Sequence, residues 1–122
     1  FDIARVAAMS EEEEAALMSN AGIVRNRLKI RGARKTANAV LDLQARHGSL
    51  DAFLWSFVDD RPRVNHWTSM SQVPTATPEA QAMSKALAHA GATFVGPTIC
   101  YAFMQAAGLV DDHLAHCFTR HR

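Results

Sequence analysis

Two side chains near the C-terminus have the type and spacing to bind a soft metal ion. In "DDHLAHCF", residues 111–118, His113 and Cys117 stand four apart. On a helix that interval turns both to one side, and an imidazole nitrogen with a thiolate is a donor pair suited to zinc. A closed structural zinc site takes four ligands, and the sequence holds one other cysteine, Cys100. The residues alone leave two readings open. The pair is half of a metal site, or the segment is an amphipathic turn with Leu114, Cys117 and Phe118 facing a core. His116 and His121 could complete a local site, but so short a helix would struggle to converge four donors on one ion.

A second stretch carries anion chemistry. In "LMSNAGIVRNRLKIRGARK", residues 17–35, two helical patterns are joined by a few residues around Gly22, which permits a tight turn and close backbone approach. The amides of the turn and of the next helix's first turn then lack intrahelical partners and face outward as an anion site. Six basic residues follow without an acid between them: Arg25, Arg27, Lys29, Arg31, Arg34 and Lys35. At about 100° per residue, Arg27, Arg31, Arg34 and Lys35 share one face. The whole-chain charge of +1 hides this patch because Glu11 to Glu14 offset it. Either the patch and hairpin grip a nucleic-acid backbone without reading sequence, or the basic face is solvated and partly paired with those glutamates.

The elements that must position these groups are helical nearly throughout. Ser10 and Glu13 form a capping box, opening a helix expected to run to about Asn20 and stop at Gly22. A longer helix starts near Arg25, with an apolar stripe of Ile30, Ala33, Ala37, Val40 and Leu41, and ends near Gly48. Ser49 caps a short apolar helix in "SLDAFLWSFV". Residues 59–77 read as a long loop. Thr77 caps a helix with Pro78 in its first turn and Gly91 beyond its end. Gly96-Pro97 opens "TICYAFMQAA", apolar on most faces and so expected to be central. A last short helix, capped by Asp111 or Asp112, would carry the His113–Cys117 pair. Strand patterns are absent, and the expected class is all-α, a single helical domain over residues 1–122.

Composition agrees. The chain has 122 residues with 48% apolar content, enough for one core. No apolar run approaches the ~20 residues that span a bilayer. Two cysteines do not make a disulfide framework, and a reducing cytoplasm is the expected compartment.

Three collinear stretches, "AGIVRNRLKI" (21–30), "FLWSFV" (53–58) and "FVGPTICYAFMQAAGLVDDH" (94–113), together resemble the DNA-3-methyladenine glycosylase I family. That family is an all-helical branch of the helix-hairpin-helix glycosylases. The resemblance implies hydrolysis of the N-glycosidic bond of 3-methyladenine in alkylated double-stranded DNA, by a monomer that flips the nucleotide out of the stack. The alternative is a non-catalytic helix-hairpin-helix DNA-binding module.

Residue by residue, the resemblance assigns Gly22 and Val24 to the phosphate-contacting hairpin, within a helix-hairpin-helix element over about 11–47. Arg25, Arg27 and Lys29 lie at its helical exit. Thr98, Tyr101 and Ala102 match a segment that backs the base pocket; position 102 is often serine in the family. The groups that read the base lie before the position matching Phe1, so no catalytic residue is expected within this chain. The chain is expected to be the C-terminal portion of a longer enzyme, and by itself to bind DNA without excising a base. His113 and Cys117, within a closing segment at about 109–122, match two ligands of a structural zinc. The family draws the other two, a cysteine and a histidine, from its N-terminus.

"GARKTAN" (32–38) is similar to the segment that carries the Schiff-base lysine of endonuclease III-type glycosylase/lyases. It lacks their Leu-Pro-Gly turn, and Lys35 sits in a cationic cluster on a polar face, which does not lower a lysine's pKa by desolvation. No nucleophilic lysine is assigned.

Overall fold

The computed structural model describes residues 1–121, except the side chain of His121. Among these residues there are six α-helices: α1 Ile3–Ala7, α2 Glu11–Met18, α3 Arg27–His47, α4 Leu50–Trp55, α5 Pro78–His89 and α6 Pro97–Ala107. The all-α class is thereby met. Backbone contacts divide the chain into two compact units, residues 1–50 with 86–94, and residues 51–85 with 95–122.

In the first unit, α1 and α2 pack against α3. The capping box forms as expected: Ser10 Oγ accepts from the Glu13 amide at 3.2 Å, and Glu13 Oε2 accepts from the Ser10 amide at 2.8 Å. The acidic first turn complements the helix dipole. Asp2 caps α1 through the Arg5 amide at 2.8 Å, and Asn38 Nδ2 donates to the Ala7 carbonyl at 3.1 Å, tying α1 to α3.

On α3 the buried positions are Gly32, Ala37, Ala39 and Leu43. Of the expected stripe Ala37 is buried, whereas Ala33 and Leu41 are exposed. Gly32 is the missed member, because it shows no hydrophobicity to a periodicity count. A Cβ there would lie 2.6 Å from Thr93 Oγ1 and 3.0 Å from the Phe94 ring. Thr93 in turn donates its hydroxyl to the Gly32 carbonyl and its amide to Thr36 Oγ1, both at 3.2 Å.

In the second unit the core holds Phe53, Val58, Ala80, Met83, Cys100, Tyr101, Met104, Leu109 and Val110. The boundaries of α5 and α6 follow the expected Pro-first, Gly-last pattern; Gly91 and Gly108 have φ of 99° and 83°, a region that penalises a Cβ. Two differences stand out. Residues 59–77 contain a two-residue strand, β1 Arg63–Val64, paired in parallel with β2 Val110–Asp111; two residues are too few to show a period of two. And the segment from residue 112 to 117 is not helical. It runs through turns into a short 3-10 helix at Phe118–His121, because Asp111 and Asp112 are held in and beside the strand pair rather than capping a helix. On α6, Cys100, Tyr101 and Met104 are buried while Ile99 and Phe103 are exposed, so only one side of that helix is covered within the unit.

Candidate functional site

Three groups of polar residues concentrate the chemistry, one in the first unit and two in the second. In the first, the connection from α2 to α3 is made by residues 19–26. Asn20 Oδ1 accepts from the Gly22 amide at 2.8 Å. A Cβ on Gly22 would stand 3.1 Å from that same oxygen and crowd the Asn20 bond. The Val24 carbonyl accepts from the Asn26 amide at 2.9 Å. Asn26 caps α3, its Oδ1 accepting from the Lys29 amide at 3.1 Å. Among the described residues, the amides of Ile23, Val24, Arg25, Arg27 and Leu28 donate to no protein group. They are accompanied by Val24 and Leu28 side chains that are 86% and 71% exposed.

The basic face divides. Arg34 Nη1 reaches Glu14 Oε1 at 2.9 Å and Arg31 Nε lies 3.8 Å from Glu14 Oε2, so this part follows the paired reading. Arg25 and Arg27 have no ion-pair partner among the described residues, and the Lys29 ammonium stands 6.0 Å from the centre of the Phe94 ring. Lys35 is exposed and has none of the burial a nucleophilic lysine requires. The cations next to the open amides are therefore the ones not engaged by carboxylates.

The second group is built around Asp112. Asn65 and Trp67 lie just beyond β1, in the segment that follows Arg63–Val64. Asn65 Nδ2 and Trp67 Nε1 both donate to Asp112 Oδ1, at 2.8 and 2.7 Å. Tyr101 and Gln105, one turn apart on α6, both donate to Oδ2, Tyr101 through its hydroxyl and Gln105 Nε2 at 2.9 Å. Burial pushes the Asp112 carboxyl up, but the four donors outweigh it and hold the group below the usual carboxylate range. Burial together with the Asp112 hydrogen bond and charge raises the Tyr101 phenol well above its ordinary value. Sequence reasoning missed this cluster, having read Asp112 only as a helix cap. The available signal was Tyr101 and Gln105 at helical spacing just before a run of two aspartates.

Tyr101 is 1% exposed and its hydroxyl is engaged by Asp112, whereas Thr98 and Ala102 lie on the exposed side of α6. The three residues assigned to the pocket segment are thus split between a buried polar contact and an open face. Trp55 is half-buried, and so is Trp67.

The third group follows Asp112 directly. His113, His116 and Cys117 line one concavity of about 590 Å³ with Met70, Leu114 and Phe118. Asp111 Oδ1 contacts His113 Nδ1 at 2.7 Å and accepts from the His113 amide at 3.0 Å. Those two bonds, the amide's first, hold the Asp111 carboxyl below the usual range. Cys117 Sγ lies 2.9 Å from Thr119 Oγ1, and the Thr119 hydrogen bonds lower its thiol. Arg120 donates from Nη2 to the Asn65 carbonyl at 3.0 Å and from Nη1 to the His113 carbonyl at 3.3 Å. His113 and Cys117 therefore share a concavity without sharing a helix. Their donor set suits zinc. Among the described residues no cluster of three or more His, Cys, Asp or Glu side chains is arranged to hold a metal, and His121 falls outside the described side chains.

The fold these elements make is that of an all-α glycosylase. A crystal structure of 3-methyladenine DNA glycosylase I superposes with a TM-score of 0.88 at 47% identity, covering 96% of this chain and 64% of that one. The Staphylococcus aureus enzyme, in a structure concerned with 3-methyladenine recognition, gives 0.91 at 32% identity over 97% of this chain and 63% of that one. The family model described as methyladenine glycosylase matches residues 1–121, and the chain belongs to that family. It is 46% identical over 117 residues to DNA-3-methyladenine glycosylase 1 of Escherichia coli K12, and 43% identical over 117 residues to the Haemophilus influenzae glycosylase. In both cases it spans 96% of its own length and 63% of the relative's.

Proposed function

We propose that this chain belongs to a glycosylase that hydrolyses the N-glycosidic bond of 3-methyladenine in alkylated double-stranded DNA, acting as a cytoplasmic monomer, and that it supplies the grip on the DNA backbone. The observation that carries the grip is the set of amides of Ile23, Val24, Arg25, Arg27 and Leu28, without an acceptor among the described residues, beside the Arg25, Arg27 and Lys29 side chains. Backbone amides with adjacent cations hold phosphates without reading bases. In this reading they anchor the strand around a flipped nucleotide as a helix-hairpin-helix element, with Gly22 and Val24 at its turn.

N3 methylation makes adenine a cationic leaving group, so catalysis needs extrusion and correct holding of the base more than a strong nucleophile. Products are free 3-methyladenine and an abasic sugar. Thr98, Tyr101 and Ala102 would back the base pocket, with Tyr101 fixed from behind by Asp112 rather than free to contact the base through its hydroxyl. His113 and Cys117 would hold a structural zinc as two of its four ligands. That ion supplies a closed cross-link and no open coordination position for chemistry.

The test is release of free 3-methyladenine from methylated duplex DNA by the full gene product, with duplex binding measured alongside. Release above an unmethylated control is expected. Salt-dependent duplex binding with no release would favour the alternative, a DNA-binding module without catalysis.

A further inference from the structure

The third group of polar residues holds a pair whose geometry exceeds what a turn needs. Asp111 Oδ1 closes a local turn by accepting the His113 amide at 3.0 Å, and the same oxygen lies 2.7 Å from His113 Nδ1. An ionised carboxylate only accepts hydrogen bonds, so this contact requires the proton of a neutral imidazole to sit on Nδ1. Nε2 is then left bare as a lone-pair donor. His113 lines the concavity shared with Cys117.

We propose that Asp111 is a positioning residue for the metal-ligand pair: it selects the Nδ1–H tautomer of His113 and so presents Nε2 as the ligand atom. This rests on the zinc reading of His113 and Cys117. The arrangement is the carboxylate–histidine relation that orients metal-bound imidazoles generally, and losing such a partner costs roughly 10–100-fold in metal affinity. Asp111 is itself anchored, because Val64 and Asp111 are register partners in the parallel pair and the Asn65 amide donates to the Asp111 carbonyl at 3.0 Å. Its neighbour Asp112 is held by four donors. The carboxylate is thus placed by backbone and neighbours that do not involve the metal.

The experiment is two-bond ¹H–¹⁵N correlation of the histidine rings in the metal-free protein, at a pH where the rings are neutral, followed by titration with Zn²⁺ alone. Wild type should show His113 protonated on Nδ1. Asp111→Ala should move the ring toward the Nε2–H form that an unconstrained histidine side chain favours, and weaken zinc binding roughly 10–100-fold. Asp111→Asn, whose amide oxygen still accepts, should keep both the tautomer and most of the affinity. A purely structural role for Asp111 would change the melting temperature and leave the tautomer alone. That outcome, or an Nε2–H ring in wild type, overturns the proposal. His113→Ala separates the underlying reading: zinc affinity unchanged by it removes His113 as a ligand, and with it the purpose assigned to Asp111.

Discussion

The α2–α3 connection and the Asp112 cluster are both collections of polar groups, and they are finished to opposite degrees. Around Asp112 every donor finds an acceptor inside the molecule: Asn65, Trp67, Tyr101 and Gln105 all converge on one carboxylate. In the connection, five amides have no acceptor among the described residues, next to cations that no described carboxylate pairs with. Leaving polar groups open at a surface costs little where water can serve them, whereas leaving them open inside is expensive. The closed cluster is therefore an instrument of folding, and the open one is available to an anion. Mutations should separate these two roles cleanly.

The largest effect belongs to the closed cluster. Asp112→Ala strands four donors and should cost about 3 kcal/mol in urea-induced unfolding, since hydrogen bonds to a charged acceptor are individually worth roughly 1.5–3 kcal/mol and are not additive. Asp112→Asn, which keeps one acceptor oxygen, should cost about half as much. The acid side of the stability profile carries the sign. The folded carboxyl lies below its ordinary value, so its contribution is complete above the unfolded value of about 3.9 and fades as pH falls through the lower folded value. Wild type and Asp112→Asn should converge in stability at the acid end. A constant gap down to the acid limit would mean the charge is not what the four donors recognise.

This contrast also marks how far the residues announce the structure. Helix positions were legible wherever a cap states them chemically: Ser10 with Glu13, Thr77 with Pro78, Gly48 and Gly108. The candidate hairpin was legible because a glycine turn and a cationic run are local. The Asp112 cluster was not, because its partners come from positions 65, 67, 101 and 105 and meet only once a two-residue strand pair has formed. The same pair explains why His113 and Cys117 keep their shared concavity while losing their expected helix. Spacing of four is shorthand for proximity on a helix, and here proximity is achieved by turns between Asp111 and the 3-10 helix at Phe118–His121. Gly32 was overlooked for a related reason. Its value is the absence of a side chain 2.6 Å from Thr93 Oγ1, which no hydrophobic count registers.

On the open side, the double variant Arg27→Ala, Lys29→Ala should weaken duplex binding by about tenfold at moderate salt and lower the salt slope by about 2, uniformly across sequences. Its stability should stay within about 0.5 kcal/mol of wild type, with the Lys29–Phe94 contact accounting for any residual loss. Arg31→Ala is the control, because that guanidinium already faces Glu14 at 3.8 Å. If Arg31→Ala weakens binding as much as the double variant, the division of the basic face is wrong. If neither does, the connection is not a nucleic-acid grip.

The smallest expected effect is the sharpest test of what the open amides do. Asn26 and Ser10 cap neighbouring helices in the same manner, Asn26 through the Lys29 amide at 3.1 Å and Ser10 through the Glu13 amide at 3.2 Å. Replacing either with alanine should cost about 1 kcal/mol of stability. Their positions differ in one respect that matters. Asn26 sets the first turn of α3, where the amides of Arg27 and Leu28 are open, whereas Ser10 sets the far end of α2. Fraying at Asn26 disperses amide directions that a phosphate would otherwise meet already aligned, and alignment made in advance lowers the ordering cost of binding. Asn26→Ala should therefore lose about threefold in duplex affinity, and Ser10→Ala none, at equal cost in urea stability. Equal losses of affinity would show that binding follows overall stability. A loss confined to Asn26 would place the contact at the start of α3.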